Sequence, residues 1–463
     1  MPKTKNKLVK ITSENKLHNK SDNPALEARL SKILDLLYSF YDQEINMSLE
    51  RVKRFLKQLG NPHLKLPPVV HVAGTNGKGS TIAILRSLLE ASDKSCHVMT
   101  SPHLVHPTER LRLAGELIST ENLIDVLEEC LAVNRTEPIT FFEIFCAASF
   151  LAMSRMNADY VLLETGMGGR LDATNVVPDP ICTIITTISK DHEKFLGHTL
   201  PKIAYEKAMI MKRDVPCVIG RQTHQAIDTG INNVFQEVSS SLSPVAKLFR
   251  YGKNWDIRVQ NDMVHFSWQD ESVVTSHPNL CGPHQVYNAG AALAAFRIIT
   301  NKPLDSKLLS PENPQNPLLT IQWSGRLQQL NNEPICKRAK PGQELWIDGG
   351  HNDSAGVALA KQAKIWQAQD DKPLHLIVAM VDRKNPSDFL SPLLPYTESL
   401  TVTSIKNEAS SFDSKKLYEF VKPLGFKNLY LEKTPEEAIE NINDPNARIL
   451  ITGSLYFLGN ILT

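Results

Sequence analysis

The apolar run Val69-Val70-His71-Val72-Ala73 leads directly into Gly74-Thr75-Asn76-Gly77-Lys78-Gly79-Ser80, and a helical pattern follows from Thr81 to Ser92. A strand, a glycine turn and a helix in that order leave backbone N–H groups unpaired at a helix N-terminus. There they and the helix dipole favour an anion. Lys78 adds a positive charge where the β- and γ-phosphates of a nucleotide would sit. The general P-loop pattern has Ser or Thr directly after the lysine and a glycine where Val72 stands. Here Gly79 follows Lys78 and Ser80 comes one residue later, so the segment departs from the strict rule. By itself it predicts a nucleotide site over residues 74–80 and names no reaction.

The surroundings extend this unit. Helical spacing begins at Leu26, and a second helix spans about Ser48 to Leu59 before Gly60-Asn61-Pro62 stops it. Buried-strand patterns at Tyr160–Leu163, Thr183–Thr187 and Pro216–Ile219 alternate with helical patterns at Glu121–Val133, Phe141–Met156 and Leu200–Met211. Such alternation predicts a parallel α/β sheet. A helix over Gln285–Ile299 closes this half. Residues 301–322 are rich in Pro, Asn and Ser, which is linker composition. Strand patterns at Leu345–Ile347, Leu374–Met380, Leu400–Thr403 and Ala447–Thr452 then predict a second, smaller α/β unit. The expected division is a polar tail over 1–24, an ATP-binding unit over 25–305, a linker over 306–322 and a C-terminal unit over 323–463. The fold class is α/β: a P-loop parallel-sheet domain followed by a smaller Rossmann-like domain.

Glu164 ends the apolar run Tyr160-Val161-Leu162-Leu163, ahead of Thr165-Gly166-Met167-Gly168-Gly169-Arg170-Leu171-Asp172-Ala173-Thr174-Asn175. A carboxylate at the C-terminal end of a strand beside a phosphate loop is placed to hold Mg²⁺. Asp191-His192 follows the next strand. A histidine in that position is as readily structural as ligating, and magnesium prefers oxygen. Phe141 and Phe142 can stack on a flat ring or belong to a core.

These segments together resemble one family. Gly-Thr-Asn-Gly-Lys-Gly-Ser is similar to the loop of folylpolyglutamate synthases and dihydrofolate synthases, within the Mur ligase superfamily. Residues 164–175 resemble the family's Glu-x-Gly-x-Gly-Gly-Arg-x-Asp-x-Thr-Asn. The resemblance implies that Ser101 (in Thr100-Ser101-Pro102-His103-Leu104), Glu164 and His192 ligate Mg²⁺. It also implies a second metal facing Lys207, carbamylated by CO₂, in Ile203-Ala204-Tyr205-Glu206-Lys207-Ala208-Met209. Thr140, Phe142, Asp172, Ala173 and Asn175 would line a pterin pocket. His284-Gln285-Val286-Tyr287-Asn288, Gly325-Arg326 and Asp348-Gly349-Gly350-His351-Asn352 resemble stretches through which Asn288, Arg326, Asp348 and His351 reach ATP, so that Lys78, Lys207, Arg326 and His351 form the catalytic set. Met209, Ala379 and Asn385 depart from the family, which has glycine at the first two positions and aspartate at the third. The implied activity is ATP-dependent ligation of L-glutamate to dihydropteroate and to the γ-carboxylate of folates. The alternatives are a monofunctional folylpolyglutamate synthase or another ligase of the superfamily.

Composition narrows the classes. The chain has 463 residues with a net charge of +1, so no global field attracts nucleic acid or acidic lipid. Seven scattered cysteines without a CxxC pair read as reduced core residues. No apolar run approaches a membrane span. The expectation is a cytoplasmic monomer whose partners are small molecules.

Overall fold

The structure is a computed structural model that describes residues 20–40, 47–135 and 137–463. Most of the expected polar tail lies outside the described residues. Its last position, Pro24, already belongs to helix α1 (Pro24–Ser39), which the Asn23 side chain caps by accepting the Ala25 N–H. Helix α2 (Glu50–Gln58) follows.

The large sheet is assembled from β1 (Val69–Ala73), β2 (Cys96–Met99), β3 (Leu111–Leu113), β4 (Glu116–Leu117), β5 (Tyr160–Glu164), β6 (Cys182–Ile185), β7 (Cys217–Ile219) and β8 (Leu248–Arg250). Its order is β4-β3-β2-β5-β1-β6-β7-β8. All neighbours from β2 to β8 are parallel, while β3 pairs antiparallel with β2 and β4. The central strands are buried along their whole length because both faces are covered, and all but His71 and Thr183 in β1 and β6 are apolar. Helices α3 (Lys78–Glu90), α4 (Thr120–Asn134), α5 (Phe141–Met153), α6 (Glu193–Leu196), α7 (Leu200–Ala208), α8 (His224–Asp228) and α9 (Ile231–Ser240) provide the connections.

Helix α3 starts at Lys78, three residues before the expected start at Thr81. Gly77 is the residue before the helix and has φ +86°, a left-handed conformation that glycine adopts without cost. Lys78, Gly79 and Ser80 are therefore first-turn residues, and their N–H groups face the loop.

A three-stranded antiparallel sheet not expected from the sequence follows: β9 (Trp255–Gln260), β10 (Met263–Trp268) and β11 (Glu271–Thr275). Its Trp255, Ile257, Val264 and Phe266 are buried in one core with α3 and α10 (Pro283–Thr300). Helix α10 is alanine-rich and buried on most of its surface, which lets backbones approach. At Gly290 an added Cβ would lie 2.7 Å from Ile257 and Trp255. The segment 306–322 is not a free tether. Leu309, Leu318 and Ile321 join this same core, and the Ser87 hydroxyl on α3 donates to Pro317 O at 2.7 Å.

The second sheet has order β12-β13-β17-β14-β15-β16. Its strands are β12 (Gln328–Leu330), β13 (Glu344–Asp348), β14 (Leu374–Val378), β15 (Ser399–Val402), β16 (Leu429–Leu431) and β17 (Arg448–Thr452). All pairs are parallel except β12 with β13. Helices α11 (Asp353–Asp370), α12 (Pro386–Leu390), α13 (Ser414–Val421), α14 (Pro435–Glu440) and α15 (Leu455–Leu462) complete it. No helix of the described residues is long and apolar enough to cross a membrane. All seven cysteines are free.

Candidate active site

Strand β1 lies between β5 and β6, so the loops leaving Ala73, Glu164 and Ile185 meet at one edge of the sheet. The Thr75 hydroxyl donates to Ser189 O at 3.0 Å and accepts the Ser189 N–H at 3.1 Å, which locks the phosphate loop to the loop after β6. Asn288, on α10, closes the underside: a Cβ on Gly77 would lie 2.4 Å from its Oδ1.

Two lysines converge on this loop. Lys78 Nζ donates to Gly74 O at 3.2 Å and Thr75 O at 3.3 Å and lies 3.7 Å from Glu164 Oε1. Lys207 Nζ, on α7, donates to Gly74 O at 2.9 Å. Burial, followed by the charge of Lys78, lowers the Lys207 pKa to about 7. Glu164 is buried; burial raises its pKa and Lys78 offsets part of that. Its Oε2 accepts the Ser101 N–H at 3.2 Å.

The second sheet reaches the same edge. Asn76 Nδ2 donates to Asn352 Oδ1 at 3.0 Å, and Asn352 Nδ2 donates to Asn76 Oδ1 at 3.1 Å. Asp191 forms an ion pair with Lys384, accepts from Asn352 Nδ2 at 3.2 Å, and lies 3.6 Å from His351 Nε2 and 3.8 Å from His192 Nε2. Burial acts to raise Asp191, but the nearby His351 ring and the charge of Lys384 outweigh it and hold the carboxyl well below its usual range. His192 has φ +51°, and burial depresses its pKa to about 3, which keeps it neutral and able to ligate. The charge of Arg326 also acts, more weakly than Lys78, to lower Glu164. Asp348 is occupied within its own unit, accepting Leu327 N–H at 2.9 Å and Gly350 N–H at 2.7 Å. A cleft of about 1570 Å³ runs between the units past Thr100, Pro102, Leu104, Trp323, Arg326 and Leu455.

The expected pterin residues gather around the glycine-rich loop after β5 and the start of α5, but several already have partners. Thr140 and Glu143 form a capping box at the start of α5, and Arg51 pairs with Glu143 at 3.1 Å. Asp172 accepts from the Met167 N–H, the Thr174 N–H and the Thr174 hydroxyl, so its carboxylate organises the glycine-rich loop. Ala173 begins a short helical turn that Asp172 caps. Asn175 bridges Arg170 O and Met209 O and accepts from Lys212 at 2.7 Å. Phe142 keeps a partly exposed ring against the glycine loop, where a Cβ on Gly166 would lie 2.4 Å from its Cζ. Of the five, Phe142 is the side chain left to face a ring.

The donor set suits magnesium. No three His, Cys, Asp or Glu side chains of the described residues cluster as a metal cage. Magnesium does not need one: it takes one or two carboxylates and completes its shell with water and substrate phosphate oxygens. Glu164 and the Ser101 hydroxyl can serve in that way. Of the departures, Asn385 caps α12 as an aspartate would; Met209 follows the last residue of α7 and Ala379 is buried, and nothing in the structure explains either substitution. The partners that sequence reading passed over are Asn352 and Lys384, both visible in it only as neighbours of other motif positions.

Similarity to known proteins points the same way. Residues 72–296 match the family model of the Mur ligase middle domain, and residues 332–463 match that of the dihydrofolate synthetase C-terminal domain. The chain is 30% identical to the probable dihydrofolate synthetase of Schizosaccharomyces pombe, over 90% of this chain and 98% of that one. It is 29% identical to the dihydrofolate synthase/folylpolyglutamate synthase of Bacillus subtilis, over 90% and 94%. Among solved structures it superposes on the bifunctional folylpolyglutamate synthase/dihydrofolate synthase of Yersinia pestis complexed with AMPPNP and Mn ion, with TM-score 0.78 at 25% identity, covering 93% of this chain and 97% of that one.

Proposed function

The chain belongs to the dihydrofolate synthase and folylpolyglutamate synthase family of Mur-type ligases, and we propose that it joins L-glutamate both to dihydropteroate and to the γ-carboxylate of reduced folates. It is an ATP-dependent ligase that forms a carbon–nitrogen bond. The observation that carries the proposal is the meeting, at the phosphate loop, of Lys78 and Glu164 from the first unit with Asn352 and His351 from the second.

A carboxylate is a poor electrophile. Transfer of the γ-phosphoryl group of ATP to it yields an acyl phosphate and ADP. The glutamate ammonium loses a proton, its amine attacks the acyl carbon, and the amide forms as phosphate leaves. The loop amides and Lys78 hold the phosphates, Arg326 neutralises charge that builds on the transferring group, and the interdomain contacts exclude water. Glu164 and Ser101 would hold Mg²⁺ beside the phosphates, with His192 as a further ligand; the ion supplies Lewis-acid polarisation of a phosphoryl oxygen. Lys207, a buried amine with a pKa of about 7, has the neutral fraction needed to add CO₂ with loss of a proton, giving a carbamate anion for a second ion. Asn288, Asp348 and the rest of 74–80 complete the nucleotide site. Phe142, Thr140 and the Asp172-Ala173-Asn175 loop shape the pterin end. We place the boundary between the units at 306–322 and regard the protein as a cytoplasmic monomer.

The deciding experiment is ATP-dependent phosphate release with dihydropteroate plus glutamate, and separately with tetrahydrofolate plus glutamate. Release with both supports the bifunctional reading. Release with only one reduces it to a single activity, and release with neither sinks it.

A further inference from the structure

One buried cation has no part in the scheme above. Arg110 lies at the end of a short helical turn before β3 and is 6% exposed. Its Nε–H donates to His103 Nδ1 at 2.7 Å, and an imidazole that accepts a hydrogen bond brings no negative charge to offset the guanidinium. The adjacent carboxylate cannot pair with it, because Glu109 accepts the N–H groups of Leu104, Val105 and His106 at 2.6, 2.8 and 2.7 Å. The guanidinium carbon sits 5.4 Å from the ring centroids of both Phe141 and Phe145, and Tyr38 stacks on Phe141 at 4.4 Å. Among the described residues no carboxylate pairs with it and its terminal nitrogens make no hydrogen bond. They are not among the polar atoms sealed from open space.

Arg110 therefore offers free donors to a bound substrate, whose acceptor would gain charge-assisted hydrogen bonds. Its position says which part of a substrate that is. Its guanidinium lies against Phe141 and Phe145 of α5, the helix whose Phe142 meets the glycine-rich loop, so Arg110 stands with the pterin-side residues.

A 7,8-dihydropterin ring presents two acceptors side by side, the carbonyl O4 and the imine N5. They are spaced like O6 and N7 of guanine, the pair that an arginine fork reads with two parallel hydrogen bonds. In a tetrahydropterin N5 carries hydrogen and no longer accepts in that plane.

We propose that Arg110 is a specificity residue whose terminal N–H groups donate to O4 and N5 of a dihydropterin, so that the enzyme favours dihydropteroate over tetrahydrofolate. This rests on the folate reading of the site. A site built to hydrogen-bond an atom rejects the analogue that lacks it.

The test uses the unmodified protein first. Pteroate and 5-deazapteroate, which differ only in N5 against C–H, are compared as competitive inhibitors of dihydropteroate turnover. The deaza compound should bind about tenfold more weakly; equal inhibition constants overturn the proposal. In Arg110→Gln the two inhibitors should become equivalent. The ratio of kcat/KM for dihydropteroate over tetrahydrofolate should fall by about tenfold while KM for ATP stays unchanged. A variant that keeps the wild-type ratio also overturns it. If the variant does not fold, the inhibitor pair on the wild-type enzyme decides alone. Failure of the folate reading is distinct, since the wild-type enzyme would then release no phosphate with either substrate.

Discussion

Asn76 in the phosphate loop and Asn352 at the start of α11 exchange two amide hydrogen bonds across the two units, 276 residues apart in sequence. Asn352 Oδ1 also caps α11 by accepting the Ala355 N–H, so one side chain both starts a helix and clasps the nucleotide loop. Asn352→Ala removes the clasp and the cap. With each net hydrogen bond worth about 1 kcal/mol, kcat/KM for ATP should fall by roughly 10- to 100-fold. A small-angle scattering profile with a non-hydrolysable analogue should resemble the free enzyme more than wild type does. Unchanged kinetics and scattering would show that the clasp is incidental.

The ion pair of Asp191 and Lys384 joins the units a second time, and both side chains are largely buried. Removing one partner from a buried pair strands the other charge at about 3–5 kcal/mol, while removing both is far milder. Asp191→Asn and Lys384→Met should therefore each slow turnover more than the double variant does relative to either. The measurement is a double-mutant cycle on kcat/KM for glutamate. Additive effects would mean that the two residues do not act as a pair in the working enzyme.

Lys207 gives a chemical signature. Its buried Nζ donates to a backbone carbonyl, and its pKa of about 7 leaves much of it unprotonated near neutrality. With ¹³C-bicarbonate the enzyme should show a carbamate carbon resonance that Lys207→Met lacks. Degassed, bicarbonate-free buffer should slow phosphate release by more than about tenfold, with recovery on adding bicarbonate. Activity indifferent to bicarbonate would remove the carbamate from the mechanism.

The sequence disclosed what has a period or a motif. Strands β1, β5 and β6, the loop 74–80 and Glu164 were legible because buried parallel strands read as short apolar runs and glycine turns mark where they end. Strands β9 to β11 were not legible, because each alternates over only five or six residues and their partners are decided by packing on α10. At the site, motif positions located Lys78, Lys207 and Arg326. The use made of each side chain was not in the motif: Asp172 and Thr140 are expected to face a pterin, yet hydrogen bonds within their own loops occupy them. Arg110 escaped notice since a lone arginine in sequence carries no sign that its neighbour Glu109 is already taken.

His71, in the centre of β1, predicts an acid-sensitive fold. Burial, with a smaller contribution from Lys212, lowers its pKa to about 3, and its Nε2 pairs with the Thr174 hydroxyl at 2.8 Å. An unfolded histidine titrates at about 6.5. Between these values the unfolded chain binds a proton that the folded chain does not. The linked stability is therefore complete above pH of about 6.5 and is lost as pH falls towards about 3, by up to the order of 4 kcal/mol. The urea midpoint of His71→Gln should fall less than that of wild type between pH of about 7 and about 4.5. Parallel declines would assign the acid sensitivity to other groups.

Gly79 explains why this phosphate loop departs from the general rule. A Cβ there would lie 2.3 Å from Cζ2 of Trp323, which directly follows the segment joining the two units. Gly79→Ser would restore the common lysine–serine order and still weaken the enzyme, because the indole occupies the space. Overpacking of this kind costs about 1–3 kcal/mol. The denaturation midpoint should drop accordingly, and Trp323→Leu in the same chain should recover most of the loss. A Gly79→Ser enzyme as stable as wild type would mean that the tryptophan moves aside without cost, and the glycine would then need another explanation, such as close approach of the nucleotide itself.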